Sequence, residues 1–251
     1  MTNKAKQKLR RMNFLTQPRV RVIAQTIEKK DESVLPILEG VYDPNIFKAF
    51  FMAGGPGSGK SYVAGKTTAG QGLKVVNSDD VFERYLKQAR LSFEMPDAEK
   101  AQRDARRASA KAVTTKRQDN YIEGRLGMVI DGTGKDYGKI TSQASSLKNI
   151  GYDVHMIFVN TSLDVALERN QQRPRKVPEK IVVDSWNSVQ KNIGAFQRFF
   201  GSKNFIIVDN NNAKDDVFNM AFKQVQRMLR RKVDNHIAKA WISNQLRLKR
   251  R

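Results

Sequence analysis

The chain of 251 residues contains no cysteine and only two histidines. Without cysteine there are no disulfides and no thiolate metal sites, which suits a reducing compartment. His155 and His236 stand far apart in the sequence, so no histidine-based metal cluster is expected. No apolar run approaches the roughly 18–20 residues of a membrane span. The N-terminus is basic but lacks the apolar core of a secretion signal, and the expected location is cytoplasmic. Acidic residues are also scarce: 25 Asp and Glu face 46 Lys and Arg, for a net charge of +21.

That charge sits at the ends. Residues 1–30 carry nine Lys/Arg against Glu28 alone, and residues 223–251 carry ten against Asp234 alone. The 192 residues between them hold only +4. Polycationic ends of this kind attract polyanions, usually nucleic acid, through counterion release. They can also serve only as solvated faces that keep a protein soluble. The length suits one α/β domain with appendages, large enough to bury a substantial core.

Gly54-Gly55-Pro56-Gly57-Ser58-Gly59-Lys60-Ser61 fits the phosphate-loop pattern G-x-x-x-x-G-K-[ST]. The apolar run 47–53 precedes it and a helix-permissive stretch follows, the strand–loop–helix context that the pattern requires. Gly55, Gly57, Ser58, Gly59, Lys60 and Ser61 are the expected ATP contacts. The glycines let successive N–H groups turn inward on phosphate oxygens, and the new helix adds its positive end. Lys60 is expected to reach the β/γ-phosphates and Ser61 to hold Mg²⁺.

Five apolar runs read as strands: 47–53, 73–77, 127–131, 154–160 and 205–209. They lack in/out alternation, as strands buried on both faces of a parallel sheet do. Helical stretches between them imply right-handed crossovers, with binding at the carboxyl ends of the strands. Ala98, Ala101, Ala105, Ala108 and Ala112 form a thin stripe expected to pack on the body. Arg103, Arg107 and Lys111 lie at i, i+4 spacing on the same segment. They read as an exposed face, with a groove for an anionic acceptor as the alternative. A second stripe runs Val182, Trp186, Val189, Ile193, Phe196 and Phe200. A third, from Asp215–Asp216, takes in Phe218, Phe222, Val225, Leu229, Val233, Ile237 and Trp241 as one long C-terminal helix.

The strand ends carry the remaining chemistry. Asp79, after the second run, is placed to accept an acceptor hydroxyl's proton, with Asp80 as the cap of a helix starting at Val81. Asp131, ending the third run, supports either Mg²⁺ or the acceptor, and Thr133 is a candidate substrate contact. Residues 168–178 follow the fourth run and a short helix, as a lid would. Arg173, then Arg169 and Arg175, are the candidates to neutralise charge on a transferring phosphoryl group. Asp131-Gly132-Thr133-Gly134 also fits the D-x-x-G of GTPases, but no Asn-Lys-x-Asp follows. A motor ATPase usually has Glu where this chain has Gly132.

Together these segments resemble the zeta-toxin and polynucleotide-kinase-like group of P-loop kinases, over roughly residues 47–200. The loop is similar to the Gly-x-Pro-Gly-Ser-Gly-Lys form of that group. Val75-Val76-Asn77-Ser78-Asp79 resembles the strand that ends in the family's general base. The segment from Ile130-Asp131-Gly132-Thr133 to Tyr152-Asp153-Val154 resembles the zeta-toxin branch. Arg169-Asn170, Arg173 and Val177-Pro178 are similar to the lid of phage polynucleotide kinases. The chain departs in having Asp131 where zeta toxins usually carry Glu, Asn77 where they carry Asp, and Phe82 where the polynucleotide kinases place Arg.

The resemblance implies an α/β, P-loop NTPase-type parallel five-stranded sheet flanked by helices, and an ATP- and Mg²⁺-dependent phosphotransferase. It leaves two acceptors, a polynucleotide 5′-hydroxyl or a UDP-activated amino sugar. The resemblance does not cover the basic ends; with charge distribution and periodicity added, the expected organisation is a basic arm and lead-in over residues 1–46, a P-loop kinase domain over 47–212, and a basic C-terminal helix and tail over 213–251. A nucleic-acid-binding or structural nucleoprotein component with a residual ATP site is the alternative from another class.

Overall fold

Each of the five apolar runs forms a strand in the computed structural model, which describes residues 40–94, 96–173 and 175–249. The strands are β1 (Lys48–Ala53), β2 (Lys74–Val76), β3 (Met128–Asp131), β4 (Asp153–Asn160) and β5 (Phe205–Asp209). They pair in the order β2-β3-β1-β4-β5, every pair parallel. β1 lies at the centre and is buried at all six positions. Its apolar sequence from Ala49 to Ala53 follows from that place, since neither face meets water, and the buried Lys48 that begins it pairs with Asp153.

Eight α-helices flank the sheet among the described residues: α1 (Lys60–Thr68), α2 (Ser78–Gln88), α3 (Lys100–Glu123), α4 (Tyr137–Asn149), α5 (Leu163–Gln171), α6 (Glu179–Phe200), α7 (Asp215–Leu229) and α8 (His236–Lys249). Alternate residues of β1 feed two cores. Phe51 and Ala53 pack with Val189, Phe196 and Phe200 of α6 and with Ile140, Ala144 and Leu147 of α4. Phe50 and Met52 pack with Val63 of α1 and with Phe218, Ala221 and Val225 of α7. The α6 stripe predicted from periodicity is thus core. Parallel register places Ala53, Val76, Asp131, Asn160 and Asp209 at one edge, so the loops that follow the five strands converge there.

Three local expectations differ from the structure. The predicted C-terminal helix is divided between α7 and α8. α7 covers one face of the sheet, while Ala238, Trp241 and Ile242 of α8 pack with Phe47 and Tyr152 on the other. One straight helix cannot cover both faces, so the chain breaks after Leu229 and crosses over. Gly151 makes the docking possible, because a Cβ there would lie 3.0 Å from Ala238.

The alanine stripe is the second. Ala98, Ala101, Ala105, Ala108 and Ala112 are exposed, and Ala110 and Thr114 face inward with Arg103 and Arg107 half-buried beside them. Alanine gains little from burial, whereas an arginine stem covers apolar surface and still carries its charge to a partner. Lys111 is exposed as expected.

The third is the start of α2, which begins at Ser78 rather than Val81. Asn77 caps it, accepting from the Asp79 N–H at 2.8 Å, and its amide donates to Asp80 at 3.0 Å. With Asn77 in the capping role, neither aspartate is needed for it. The basic N-terminal arm, residues 1–30, lies outside the described residues.

Candidate active site

The phosphate loop leaves β1 at Gly54 and enters α1 at Lys60. Gly57 and Gly59 have φ of 78° and 80°, in the left-handed region that favours glycine. Space makes the same demand: a Cβ on Gly57 would lie 2.1 Å from the Ala166 carbonyl oxygen, and one on Gly59 2.4 Å from the Asn210 amide. Gly59 occupies the N-cap of α1 and offers no side chain to it, so the first N–H groups of that helix remain available to an anion. Asn210, buried at the end of β5, donates to the Ser58 carbonyl at 2.8 Å and anchors the loop. Ser58 Oγ is buried with no hydrogen-bond partner, and Gly55 is buried against the backbone of Trp186.

Lys60 Nζ donates to the Gly54 carbonyl at 2.7 Å and the Gly55 carbonyl at 3.4 Å. Burial pushes its pKa down, Asp131 and Asp79 pull it up, and Arg173 adds to the downward push. Asp131 closes β3 beneath it. Its Oδ1 is buried without a partner, and burial raises its pKa against the pull of Lys60, with Asp79 and Asp80 adding to the rise. Ser61 is exposed in the first turn of α1. No group of three or more His, Cys, Asp or Glu among the described residues could cage a metal. The donor set of one hydroxyl and one orphaned carboxylate oxygen nevertheless fits Mg²⁺, which is usually bound by one or two carboxylates together with substrate phosphates. Thr133 is exposed on the next loop, where its carbonyl accepts from the Gly54 N–H at 2.9 Å.

Asp79 lies across the site, in the first turn of α2. Burial pushes its pKa up, but a hydrogen bond and the charge of Arg107, with Arg175 and Lys60, outweigh it and hold the carboxyl below its usual range. Arg107 Nη1 stands 2.6 Å from Asp79 Oδ1 and Arg175 Nη2 3.7 Å. Asp80 behaves oppositely: burial, Glu83 and Asp79 raise it.

The three predicted lid arginines separate. Arg169, at the end of α5, faces the phosphate loop. Its Nη2 donates to the Asn211 carbonyl at 2.9 Å and its Nη1 is buried without a partner. Arg173 is exposed on the loop between α5 and α6. Arg175 turns to the Asp79 side, where it also lies 3.8 Å from Glu83. Asn170 ties the ends of this loop, donating to the Val177 carbonyl at 2.7 Å and accepting from the Val177 N–H at 3.1 Å. The contacts of Asn170 and Asn210 are not foreseen, because Asn170 enters only through the lid resemblance and Asn210 begins a run of three asparagines, and neither carries a spacing signal. Arg107 did carry one, through its i, i+4 spacing, but the alanine stripe argued for the wrong face.

A sequence model of the zeta-toxin family matches residues 43–220. No curated protein matches the chain in sequence. Among solved structures, a chain of the AvrRxo1-ORF1:-ORF2 complex with ATP is 16% identical, with a TM-score of 0.52 over 87% of this chain and 75% of that one. A candidate kinase from Chloroflexus aurantiacus j-10-fl is 16% identical, with a TM-score of 0.51 over 72% of this chain and 97% of that one. A gluconokinase from Sinorhizobium meliloti 1021 is 15% identical with a TM-score of 0.46, covering 74% and 95%. The chain belongs to the zeta-toxin family and has the P-loop kinase fold.

Proposed function

We propose that this member of the zeta-toxin family transfers the terminal phosphoryl group of ATP to a hydroxyl acceptor. The observation that carries the reading is the convergence of Lys60, Asp79 and Asp131 at one edge of the sheet, where Lys60 feels the charge of both carboxylates. Gly55, Gly57, Ser58, Gly59, Lys60 and Ser61 hold the triphosphate, and Arg169 closes on its far side. Ser61 and Asp131 would hold Mg²⁺, which supplies charge neutralisation on the phosphate oxygens.

Asp79 accepts the acceptor's proton as the hydroxyl oxygen bonds to the γ-phosphorus. The bond from that phosphorus to the bridging oxygen breaks, and ADP leaves. Lys60 and Arg173 offset charge on the transferring group. Thr133 lies on the rim beside Asp131 and contacts the acceptor.

The acceptor is a polynucleotide 5′-hydroxyl or a UDP-activated amino sugar. The first agrees with the basic ends of the chain, the second with the family. The test is transfer from γ-labelled ATP to 5′-hydroxyl oligonucleotides and to a panel of UDP-sugars. Label on one class identifies the acceptor, and label on neither, with ATP bound, removes the kinase reading.

A second reading, a nucleic-acid-binding protein with a regulatory ATP site, is favoured by one observation. Lys223, Arg227, Arg230, Lys232 and Arg247 are all exposed on or between α7 and α8. Such cations can hold a cytoplasmic enzyme near nucleic acid as readily as they can present a substrate to it.

A further inference from the structure

Two guanidinium groups from distant parts of the chain meet beside Asp79, and the transfer chemistry above uses neither on the acceptor side. Arg107 comes from α3, on the inward face that periodicity assigned to solvent. Arg175 comes from the loop before α6. Their guanidinium carbons stand 4.9 Å and 5.8 Å from the ring centroid of Phe82, which is buried in α2. Both approach the same oxygen of Asp79, and Arg175 also approaches Glu83. Their side chains keep 33% and 16% of their exposure, so each can still be reached from outside.

Two like charges held this close repel unless something compensates. Here Asp79, Glu83 and the face of the Phe82 ring do so. The arrangement has a functional cost, because the Asp79 oxygen bonded to Arg107 at 2.6 Å is the kind of atom an acceptor hydroxyl must reach. An anion that accepts from both arginines would replace the carboxylate as their partner and leave Asp79 to the hydroxyl. A phosphate suits this role, since guanidinium groups bind it through paired N–H donors.

We propose that Arg107 and Arg175, stacked on Phe82, clamp a phosphate belonging to the acceptor itself, so that the enzyme selects hydroxyl acceptors that already carry a phosphoester near the reacting oxygen. The inference rests on the phosphotransfer reading. A polynucleotide and a nucleotide-activated sugar both have the required chemistry, whereas a free nucleoside or free sugar does not. Arg107 is a specificity residue and Asp79 remains the base.

The experiment compares acceptor pairs that differ in phosphate: a 5′-hydroxyl dinucleotide against its nucleoside, and UDP-N-acetylglucosamine against N-acetylglucosamine. Wild type, Arg107→Ala, Arg175→Ala and Arg107→Lys are assayed, with thermal unfolding and ATP binding confirming intact protein. The wild type should prefer one phosphate-bearing acceptor by about 100-fold in kcat/KM. Each alanine variant should lose roughly tenfold of that preference through KM, consistent with loss of a charge-assisted bond. Arg107→Lys should lose most of it too, because the paired donors are gone. If Arg107 merely positions Asp79, kcat falls on both members of a pair alike and the preference survives, which overturns the proposal. A wild type that turns over the bare and phosphate-bearing acceptors equally overturns it as well. Turnover of no acceptor by the wild type, with ATP bound, removes the phosphotransfer reading and this inference with it.

Discussion

The two sides of the site are built from different materials. The nucleotide side is backbone: glycines at positive φ, the open end of α1 and the carbonyl of Ser58 pinned by a buried asparagine. The side proposed for the acceptor is made of charged side chains from α2, α3 and the loop before α6, partly exposed and held by one another. Backbone geometry needs particular residues at fixed spacing and tolerates little change. Side-chain clusters can be assembled from many sequence positions. The first side therefore leaves little freedom in what it can hold, while the second can vary with its ligand.

The widest test of this contrast is a pair of substitutions across the site. Lys60→Ala should weaken ATP binding and reduce turnover by about 10²-fold or more. Asp79→Asn should reduce kcat by roughly 10²–10⁴-fold and leave ATP affinity close to wild type, as read by calorimetry beside steady-state kinetics. Equal losses of ATP affinity in the two variants would erase the division into sides.

Next in size is a pair of glycines. Gly57→Ala puts a methyl 2.1 Å from a backbone oxygen at φ 78°, so ATP affinity should fall tenfold or more, on the order of 1.4 kcal/mol. Gly65→Ala meets nothing within 4 Å on the exposed side of α1 and should stabilise the fold by roughly 0.5–1 kcal/mol with ATP binding unchanged. If both variants behave alike, the loop backbone is not what holds the nucleotide.

Acid sensitivity belongs to neither side. His155, buried on β4 against Phe50, has its pKa pushed down to about 3 by burial and by the charges of Lys48 and Arg231. Asn204 lies nearby, but its side chain serves Arg231 and the Phe200 carbonyl, and both ring nitrogens lack a hydrogen bond. The unfolded chain therefore takes up the proton first. The stability from this group is fully present above about pH 6.5 and lost as pH falls toward 3, with about 2 kcal/mol gone at pH 5. His155→Phe should flatten that part of the pH–stability curve in denaturant titrations. An unchanged slope would mean that other groups carry the acid loss.

The smallest expected effect on chemistry comes from the ends. Removing residues 1–30 and replacing the exposed Lys223, Arg227, Arg230, Lys232 and Arg247 with Gln, which leaves the core contacts of α8 in place, should reduce the salt dependence of DNA or RNA binding. A variant that binds with the same slope would show that the ends are not the contact. A rise in acceptor KM would extend the acceptor side onto them.

The same division explains what the sequence made legible. The five strands emerge within one residue at every end, because a central parallel sheet demands largely apolar runs. The phosphate loop was legible because its glycines are dictated by backbone geometry. The α6 stripe was legible because Val182, Val189, Phe196 and Phe200 are large enough for burial to dominate. The α3 face was misread because alanine says little about burial, and Arg107 is turned inward by Phe82 and by Asp79, 28 residues away in the chain. The break between α7 and α8 was hidden because the apolar spacing continues across it while the packing changes face.

The most direct measurement is phosphoryl transfer from γ-labelled ATP, with Mg²⁺, to 5′-hydroxyl oligonucleotides and UDP-sugars, run with wild type and Asp79→Ala side by side. The account predicts label on a phosphate-bearing acceptor with the wild type, and ATP bound without transfer in the variant. Equal transfer by Asp79→Ala, or wild type that binds ATP and labels nothing, would contradict it.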